Sequence, residues 1–536
     1  MQRTKVAGAG AVLAFVLLAV VSTAAPLAPK PSRQAIVQHL LKMQSTLFMT
    51  SAAQSALAVQ ASGERTLAPP SQMLSRRRLA SGGINPPKSP FTNVRVNDPS
   101  ADSHEVDQTT QSETALAVAG PKVAVGFNDS QQAIPSRATA AVDFIGYGYS
   151  TNGGASFTDG GTIPNEPEFT NLGDPWLTSD RAGNMYFAML TLDWINFNLD
   201  VGVAKSTDGG RTWSMAAPIT RPPIEINYTA DKDAIAAGPD PTARGRDDLY
   251  AAWDDFVFNI PAEEASTGLP VARSTNGGST WAVTYVDTFP IDLSSCSIQG
   301  YIGAIPVVTS DGTLFVVAEK YVVDDPTCQG AEPQFSEWIF RSDDGGQTFA
   351  PGVKIADVTA SAPDDLLKLG PGQYMRTREF PTVTMFRNGL YVAWNDGASG
   401  HSHIRLARST DGGRTWSLSW ATQGSGDEVQ PALSGDNELH LLYYERNNDN
   451  TLDVFVGNSR TGNSFVTKRV STESSPGVPT WPPFDPNSAF GYMGDYIANA
   501  TDGEHQYFAW GDNRDRVTDF LWPNGRNDPD VFFANQ

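Results

Sequence analysis

The octapeptide Ser206-Thr-Asp-Gly-Gly-Arg-Thr-Trp213 decides the fold, because the chain repeats it along most of its length. Four further close copies lie at residues 150–157, 274–281, 342–349 and 409–416, and a degenerate sixth lies at 458–465. The Asp or Asn of the motif can accept backbone N–H bonds inside a tight turn, and its glycines supply the positive φ that such turns need. Five copies spaced roughly 60 residues apart therefore predict one hairpin turn per structural repeat, closed by a Trp or Phe that packs between neighbouring sheets.

Two strand patterns recur with the same period. One is an aromatic and aliphatic run that ends in a polar pair, and its copies lie at residues 123–129, 185–193, 249–255, 314–320, 390–396, 439–445 and 506–512. The other precedes it and usually opens with an acid, although the fourth copy, which begins at Gly303, lacks one. Each repeat therefore predicts four strands: a opens with the acid, b ends in the polar pair, c enters the turn motif and d leaves it.

The two ends of the repeat region complement each other. Residues 530–536 match a strand c that has no strand d, and residues 93–97 resemble the strand d at 467–471. Pairing these segments would close a ring and remove exposed sheet edges. We therefore predict an all-β fold over residues 91–536, a single β-propeller of about seven four-stranded blades closed by its N- and C-terminal strands, with six blades as the alternative.

The turn motif resembles the Asp box, or BNR repeat, of the sialidase-like propellers, and the resemblance extends over residues 91–536. It implies a carbohydrate-active enzyme, most simply a glycoside hydrolase of the exo-sialidase-like kind, with a carbohydrate or glycoconjugate as its partner. Family sialidases usually carry an Arg-Ile-Pro signature ahead of the first blade, and residues 91–97 of this chain do not contain it. A non-catalytic propeller that binds glycans or proteins at the cell surface is therefore the alternative.

The N-terminal residues predict export. Arg3 and Lys5 precede the apolar run 7–21 and the small residues 22–25, which is the pattern of a signal peptide over residues 1–25. The run is short for a membrane span, and no later segment is apolar enough to cross a bilayer. Residues 26–90 are helix-prone and then rich in proline, and they predict a pro-segment or linker. We expect a secreted monomer, extracellular or periplasmic, without a membrane span after signal removal.

The net charge of the chain and the spacing of its potential metal-ligating residues exclude some partners. The chain has 38 Lys and Arg against 59 Asp and Glu, a net charge of −21, so no basic field is available for nucleic acid. The six histidines show no zinc spacing, and no cofactor is expected. Residues 447–453 carry closely spaced oxygen ligands, as calcium loops do, so a structural calcium ion is left open there.

The candidate site lies at one mouth of the predicted channel. Antiparallel pairing puts the start of strand a and the end of strand b at one end of a blade and the turn motif at the other. Glycoside hydrolysis needs paired carboxylates, and the family resemblance adds a nucleophilic tyrosine and arginines that hold an acidic sugar. The candidate catalytic residues are Glu379, Asp495, Tyr492, Asp174 and Asp233, and the candidate substrate-binding residues are Arg376, Arg378, Arg514, Glu113, Asp255 and Asp396. An acid that recurs in nearly every blade can instead bond backbone amides of the neighbouring blade, which is the architectural alternative.

Cys296 and Cys328 are the two cysteines of the chain. Cys296 precedes strand a of the fourth blade and Cys328 follows strand b of the same blade, so both are expected at the same end. Export to an oxidising compartment then predicts a disulfide between them, with two free thiols as the alternative.

Overall fold

The computed structural model describes residues 84–101, 110–130, 143–166, 168–196, 198–219, 226–259, 264–292, 294–362, 366–370, 373–479, 493–518 and 523–536. The predicted signal peptide, most of the predicted pro-segment and Tyr492 lie outside these residues. The described part is all-β, which confirms the predicted fold class, and its one helical element is the short 3-10 helix Pro99–Ala101. No helix in it has the length and apolar character needed to cross a membrane.

The described strands fall into seven units, and the first three follow the short N-terminal strand β1 (Val94–Arg95). Unit 1 contains β2 (Gln111–Ala119), β3 (Lys122–Asp129), β4 (Ile145–Ser150) and β5 (Thr158–Gly161). Unit 2 contains β6 (Phe169–Ser179), β7 (Met185–Asp193), β8 (Asn198–Ser206) and β9 (Ala217–Pro218). Unit 3 contains β10 (Ile226–Pro239), β11 (Asp247–Asn259), β12 (Glu264–Ser274) and β13 (Ala282–Pro290).

The remaining units follow in chain order, interrupted by a small extra sheet. Unit 4 contains β14 (Ile298–Val308), β15 (Leu314–Val323), β16 (Gln334–Ser342) and β17 (Val353–Val358). The hairpin of β18 (Leu366–Gly370) and β19 (Gln373–Arg376) comes next, before unit 5 with β20 (Thr382–Phe386), β21 (Gly389–Asp396), β22 (His403–Ser409) and β23 (Ser417–Trp420). Unit 6 contains β24 (Glu428–Gly435), β25 (Leu439–Arg446), β26 (Leu452–Ser459) and β27 (Val466–Arg469). Strand β28 (Val478–Pro479) pairs with β19, and unit 7 contains β29 (Ala498–Thr501), β30 (Gln506–Val517) and β31 (Arg526–Asn535).

Neighbouring strands within each unit are antiparallel and follow chain order, as a meander does. Unit 7 obtains its fourth strand from the N-terminus, because Val94 of β1 lies opposite Phe533 of β31 and Arg95 lies opposite Phe532. The first strand of each unit contacts the first strand of the next unit, and β29 of unit 7 contacts β2 of unit 1. Contacts between first strands therefore run from unit 1 through unit 7 and back to unit 1.

The hydrophobic core lies between the facing sheets of neighbouring units. Trp253, Trp394 and Trp510 take the same place in the second strands of units 3, 5 and 7, and all three are fully buried. The aromatic residue that closes a turn motif also joins two units. Trp213 of unit 2 meets Tyr147 of unit 1 edge-to-face, with ring centroids 6.1 Å apart.

The five close copies of the turn motif share one hydrogen-bond pattern. In unit 4, Asp344 Oδ1 accepts backbone N–H bonds from Gln347 at 3.0 Å and Thr348 at 2.9 Å, while the Gly346 N–H donates to Ser342 Oγ at 2.8 Å. The residues that replace Asp344 in the other copies are Asn152, Asp208, Asn276 and Asp411. The side-chain oxygen at this position therefore accepts the turn's amides in every copy.

Asp344→Ala is expected to destabilise the protein by about 1 kcal/mol at pH 7, because amide donors of the turn lose their acceptor. Burial acts to raise the pKa of Asp344, but hydrogen bonds from Thr348, Ser342 and Gln347 outweigh it and lower the pKa to about 2. A depressed pKa means that the stabilisation is complete above the ordinary value of 3.8 and is lost as the pH falls through about 2.

Urea unfolding across pH 2–7 would measure this effect, with Asp344→Asn as the matched control. Asparagine occupies this position in two natural copies, where Asn152 and Asn276 accept the amide bond that corresponds to the one from Thr348. The asparagine variant should therefore stay close to wild type at pH 7, and its difference from wild type should change as the pH falls. An alanine variant as stable as wild type at pH 7 would contradict the assigned role of the turn.

The predicted disulfide is confirmed. Cys296 and Cys328 are bonded, with their Cα atoms 5.0 Å apart, and they join the entry to β14 with the segment after β15. The Cys296 N–H donates to the Asp325 carbonyl at 3.0 Å, so the backbone is held at the same place. The bond therefore fixes one end of unit 4.

Replacing both cysteines with serine is expected to lower the free energy of unfolding by about 3 kcal/mol, because the bond closes a loop of 32 residues in the unfolded chain. Guanidinium unfolding with and without dithiothreitol measures the loss. Reductant should destabilise the wild type to the level of the double variant and leave the double variant unchanged. Equal stability of all four samples would show that the bond contributes nothing.

Residues 84–90, which the sequence assigned to the pro-segment, lie against unit 6. The Ile84 N–H donates to the Arg446 carbonyl at 3.1 Å, and the Asn448 N–H donates to the Ile84 carbonyl at 2.7 Å. Arg469 also donates to the carbonyl of Pro87 at 3.1 Å. Residues 84–90 therefore contact the β-units, as the chain from residue 91 onward does.

Candidate functional site

A residue with left-handed backbone recurs in the first strand of five of the described units and just before the first strand of unit 7. These residues have positive φ: Glu113 (52°), Asp174 (57°), Lys232 (38°), Gly303 (67°), Gln430 (51°) and Gly494 (91°). The first five lie in β-bulges, where the register with the second strand shifts. Left-handed backbone is uncommon for residues other than glycine, and such strain clusters at functional sites. We call this ring of residues the bulge level and take it as the candidate site.

Two predicted catalytic residues, Asp174 and Asp233, are buried carboxyl groups at the bulge level. Asp174 is 2% exposed, and Asp233 is 0% exposed. One oxygen of Asp174 and both oxygens of Asp233 have no hydrogen-bond partner among the described residues. Burial is the main cause that raises the pKa of each group well above its usual range. Such groups retain a proton at pH values where exposed aspartates are ionised.

Neighbouring charges also shift the pKa values of these two carboxyl groups: acids raise them, and the Lys232 ammonium lowers them. Glu113, Asp231 and Asp233 raise the pKa of Asp174 further beyond the effect of burial, whereas the Lys232 ammonium lowers it. Lys232 also lowers the pKa of Asp233, and Asp231 raises it. Carboxyl groups that share one site do not all ionise together, so this group holds at least one proton beside an ionisable partner.

Asp231 and Asp254 belong to the same group, and the sequence analysis missed both. They lie opposite each other in the β10–β11 register. After burial, the largest cause, the charges of Asp231 and Asp174 raise the pKa of Asp254. The sequence analysis chose the next residue, Asp255, which instead accepts a bond from the Tyr285 hydroxyl of the outer strand β13 at 2.6 Å. The sequence carries a signal that separates Asp254 from Asp255, because adjacent residues of a strand point to opposite faces of the sheet.

Glu113 and Glu379 bond backbone amides, as the architectural alternative predicts. Glu113 Oε1 accepts the Asp495 N–H of unit 7 at 3.0 Å, and its Oε2 accepts from Asn128 at 2.7 Å. Glu379 Oε1 accepts the Ser361 N–H at 2.7 Å. These two carboxylates therefore tie neighbouring parts of the chain together at the bulge level.

Arg376 and Asp495, one predicted to bind substrate and the other to catalyse, are bonded to each other. The guanidinium makes a bidentate ion pair with the carboxylate, in which Nε lies 2.6 Å from Oδ1. Glu113 lies 3.9 Å from the same guanidinium. Gln430 donates to the Gly494 carbonyl at 2.7 Å and so links units 6 and 7 at the bulge level. The negative charge of Asp495 is thus compensated within the protein.

A second group of carboxyl groups lies in units 4 and 5. Glu337 of β16 stands opposite Glu319 of β15, is fully buried, and has no hydrogen-bond partner for either oxygen among the described residues. Burial first, and then Glu319, Glu379 and Asp396, raise the pKa of Glu337 well above its usual range. The predicted residues Glu379 and Asp396 therefore interact electrostatically with Glu337. Glu337 was missed because it lies in the third strand of its unit, whereas the predicted site was drawn from the first and second strands.

Arg514 lies where the terminal strands join. It pairs with Asp512, and its guanidinium donates to Asn93 Oδ1 at 3.1 Å and to Thr472 Oγ1 at 3.0 Å. The structure therefore gives Arg514 partners near the N-terminal strand and does not bring it to Asp174 and Asp233.

The oxygen ligands of residues 447–453 are engaged within the protein. Asp453 pairs with Arg469 at 2.6 Å, and Asn447 donates to Asp453 at 2.6 Å. No group of three or more His, Cys, Asp or Glu residues in the described ranges is arranged to hold a metal ion. The calcium site stays a sequence prediction.

Comparison with known proteins gives remote structural likenesses only. No family model and no curated protein matches the chain. An α-L-arabinofuranosidase from Fusarium graminearum is 12% identical with a TM-score of 0.40, over 72% of this chain and 98% of that chain. An α-L-arabinanase from Penicillium chrysogenum is 14% identical with a TM-score of 0.40, over 83% and 98%. The endosialidase of phage phi92 is 10% identical with a TM-score of 0.41, over 83% and 69%. At these scores the likenesses carry no argument about site or substrate.

Proposed function

We propose that the chain is a sialidase-like, Asp-box β-propeller in which the seven four-stranded units are the blades and the β1–β31 pairing closes the ring. Three observations support this: the shared hydrogen bonds of the turn motifs, the antiparallel order within each unit, and the contacts between first strands that return from unit 7 to unit 1. The bulge level then surrounds the channel axis, which is where a propeller holds its ligand.

We further propose that the protein is a secreted glycoside hydrolase or related carbohydrate-active enzyme that acts as a monomer. The observation that carries this proposal is the pair Asp174 and Asp233, two buried carboxyl groups that have unpartnered oxygens and whose pKa values are both raised mainly by burial. A carboxyl group that keeps its proton can donate it to a glycosidic oxygen. We assign that role to Asp233, because both of its oxygens lack protein partners.

Asp174 supplies the second carboxyl group of the reaction. Ionised, it activates water or attacks the sugar carbon, while the other group protonates the departing oxygen. Lys232 stands beside both groups and favours the ionised form of whichever one loses its proton. Acid–base cleavage of a glycoside requires two carboxyl groups in different environments, so that one is protonated while the other is ionised.

A panel of chromogenic glycosides and of plant, algal and bacterial polysaccharides tests the proposal with the purified protein. We expect turnover on at least one member, with an activity optimum at a pH where one of the two carboxyl groups is protonated. Asp174→Asn should abolish that turnover. No turnover on the whole panel, or full activity in the Asp174→Asn variant, would reject the enzymatic function.

The second candidate function is a non-catalytic binding propeller at the cell surface. The specific observation in its favour is that Glu113, Glu379 and Asp495 are occupied by backbone amides or by Arg376. A glycan array and a pull-down with the purified protein distinguish the two functions. Binding without turnover, unchanged by Asp174→Asn and Asp233→Asn, would favour this candidate.

A further inference from the structure

Three buried carboxyl groups of units 2 and 3 carry oxygen atoms that have no hydrogen-bond partner among the described residues. These atoms are Oδ2 of Asp174, Oδ1 of Asp254 and both side-chain oxygens of Asp233. All three residues are buried. A buried acceptor without a protein donor is unfavourable unless a ligand or water supplies the donor. The ligand that complements this part of the site is therefore rich in hydrogen-bond donors.

Acids outnumber cations around the proposed catalytic pair. Asp231 stands opposite Asp254 in the β10–β11 register, and the charges of Asp231 and Glu113 act on Asp174. Among the described residues, the acids of this group are Glu113, Asp174, Asp231, Asp233, Asp254 and Asp495, and the cations are Lys232, Arg376 and Arg378. With six acids and three cations, the total charge becomes positive only if more than three of the acids are protonated. The site therefore offers no excess of positive charge to an anion.

Two of these cations already have partners within the protein. Arg376 forms its bidentate ion pair with Asp495, in which Nε lies 2.6 Å from Oδ1. The Lys232 ammonium nitrogen lies 3.8 Å from the ring centroid of Tyr496 and 4.5 Å from that of Trp176. An anionic ligand would therefore compete with a protein carboxylate for Arg376, and it would do so where acids are in excess.

From these features we infer that the proposed catalytic site takes a neutral sugar and rejects the matching sugar acid, in which a carboxylate replaces the CH₂OH group. The inference rests on the proposed function and names the substrate class of the same site. Hydroxyl groups of a neutral sugar can donate to the unpartnered oxygens of Asp174, Asp233 and Asp254, whereas the carboxylate of a sugar acid can only accept. That carboxylate would also face an excess of like charge. The substrate class therefore differs from the acidic sugar that the sialidase resemblance implies.

Matched pairs of chromogenic glycosides test the inference on the whole protein. Each pair consists of a neutral p-nitrophenyl glycoside and its uronic acid, such as a glucoside with a glucuronide and a galactoside with a galacturonide, in both anomers, and a chromogenic sialoside is added to the set. For every pair that is cleaved, kcat/KM should be at least about 10-fold higher on the neutral member. A smaller preference, or turnover confined to acidic sugars, would overturn the inference while leaving the proposed hydrolysis intact.

A binding measurement separates failure of the inference from failure of the proposed hydrolysis. Ligand-detected NMR compares the affinities of the wild-type protein for the methyl glycosides of the same pairs. If no glycoside were turned over, the hydrolysis would be rejected, but a neutral member should still bind at least about 10-fold more tightly than its uronic acid. Equal or tighter binding of the acid, or no binding of any neutral member, would overturn the inference whether or not the protein is an enzyme.

Two variants of adjacent residues test the cause of the preference. Asp254→Asn is nearly isosteric, removes one acid and adds an N–H donor, so it should reduce the preference for the neutral member by at least about 3-fold. Asp255→Asn is the matched control, because the Asp255 carboxylate accepts from Tyr285 of the outer strand at 2.6 Å. The control should keep the wild-type preference. An unchanged preference in Asp254→Asn, or the same change in both variants, would contradict the inference, and the wild-type pairs decide it if Asp254→Asn does not fold.

Discussion

Asp233→Asn is expected to lower kcat by at least about 100-fold on whichever glycoside the protein cleaves, because asparagine cannot donate a proton to the departing oxygen. The substitution is nearly isosteric, and both carboxylate oxygens of Asp233 lack protein partners that a new amide could disrupt. KM should change much less than kcat, since the proton is transferred in the transition state. A substrate with a leaving group that needs no protonation should lose far less activity.

Asp255→Asn is the matched control for this prediction. Asp255 is as deeply buried as Asp233, but it accepts from Tyr285 in an outer strand, and an asparagine oxygen can still accept that bond. Its kcat should remain within a few-fold of wild type. Equal losses in the two variants would indicate a general structural effect and would reject the role of Asp233 as proton donor.

The same variant has a readout that does not depend on activity. Because burial raises the folded-state pKa of Asp233, the folded protein holds this proton more tightly than the unfolded chain does. Stability from this group is therefore complete below the ordinary aspartate pKa and falls as the pH rises toward the folded-state value. Asp233→Asn should gain stability relative to wild type between pH 5 and pH 8 in urea unfolding. A constant difference across that range would contradict the raised pKa.

The second large effect is expected at the terminal strand pairing. Val96→Asp should destabilise the protein by about 3 kcal/mol or more, because it places an unpaired charge in a buried apolar cluster. Val96 is 2% exposed, and it packs with Leu116, Val125, Val531 and Phe533 between units 7 and 1. Losing this contact would also expose the edge of β31, which favours aggregation. Thermal unfolding and size-exclusion chromatography measure both consequences.

Val466→Asp provides the control for Val96→Asp. Val466 lies in β27, the outermost strand of the adjacent unit 6, and is 72% exposed. The same substitution there should change the free energy of unfolding by less than about 0.5 kcal/mol. A Val96→Asp protein as stable and as monomeric as the Val466→Asp protein would show that the terminal pairing does not hold the fold together.

Much of the fold could be predicted from the sequence because its signals are local and periodic. The glycine pair and the Asp or Asn of each turn motif specify one short backbone geometry, and that geometry recurs in all five close copies. The disulfide followed from strand order together with the predicted export, since Cys296 and Cys328 flank two antiparallel neighbours. The extra sheet of β18, β19 and β28 was not predicted, because β28 is a two-residue strand more than 100 residues from β19.

The candidate site was predicted less well because a bulge changes the register by one residue. If the acidic residues of the first strands are aligned with one another, Asp233 corresponds to Glu113 and Asp174. The residue of β10 that has left-handed backbone, however, is Lys232. Because of this shift by one residue, the sequence analysis did not include Lys232 in the candidate site. The shift also hid Asp231 and Asp254, whose pairing depends on which residues stand opposite each other across two strands. Such long-range register cannot be read from local residue patterns.

The pairing of β1 with β31 also sets the order in which the molecule can be completed. Synthesis proceeds from the N-terminus, so Val94 emerges early and has no partner until Phe533 has been added, more than 400 residues later. Units 1 to 6 contain all of their own strands and can form as they appear, whereas unit 7 combines the two ends of the described chain. A ribosome that stops early, or a protease that removes residues 526–535, would leave unit 7 incomplete and β1 unpaired. The pairing of β1 with β31 can therefore form only after the whole repeat region has been synthesised.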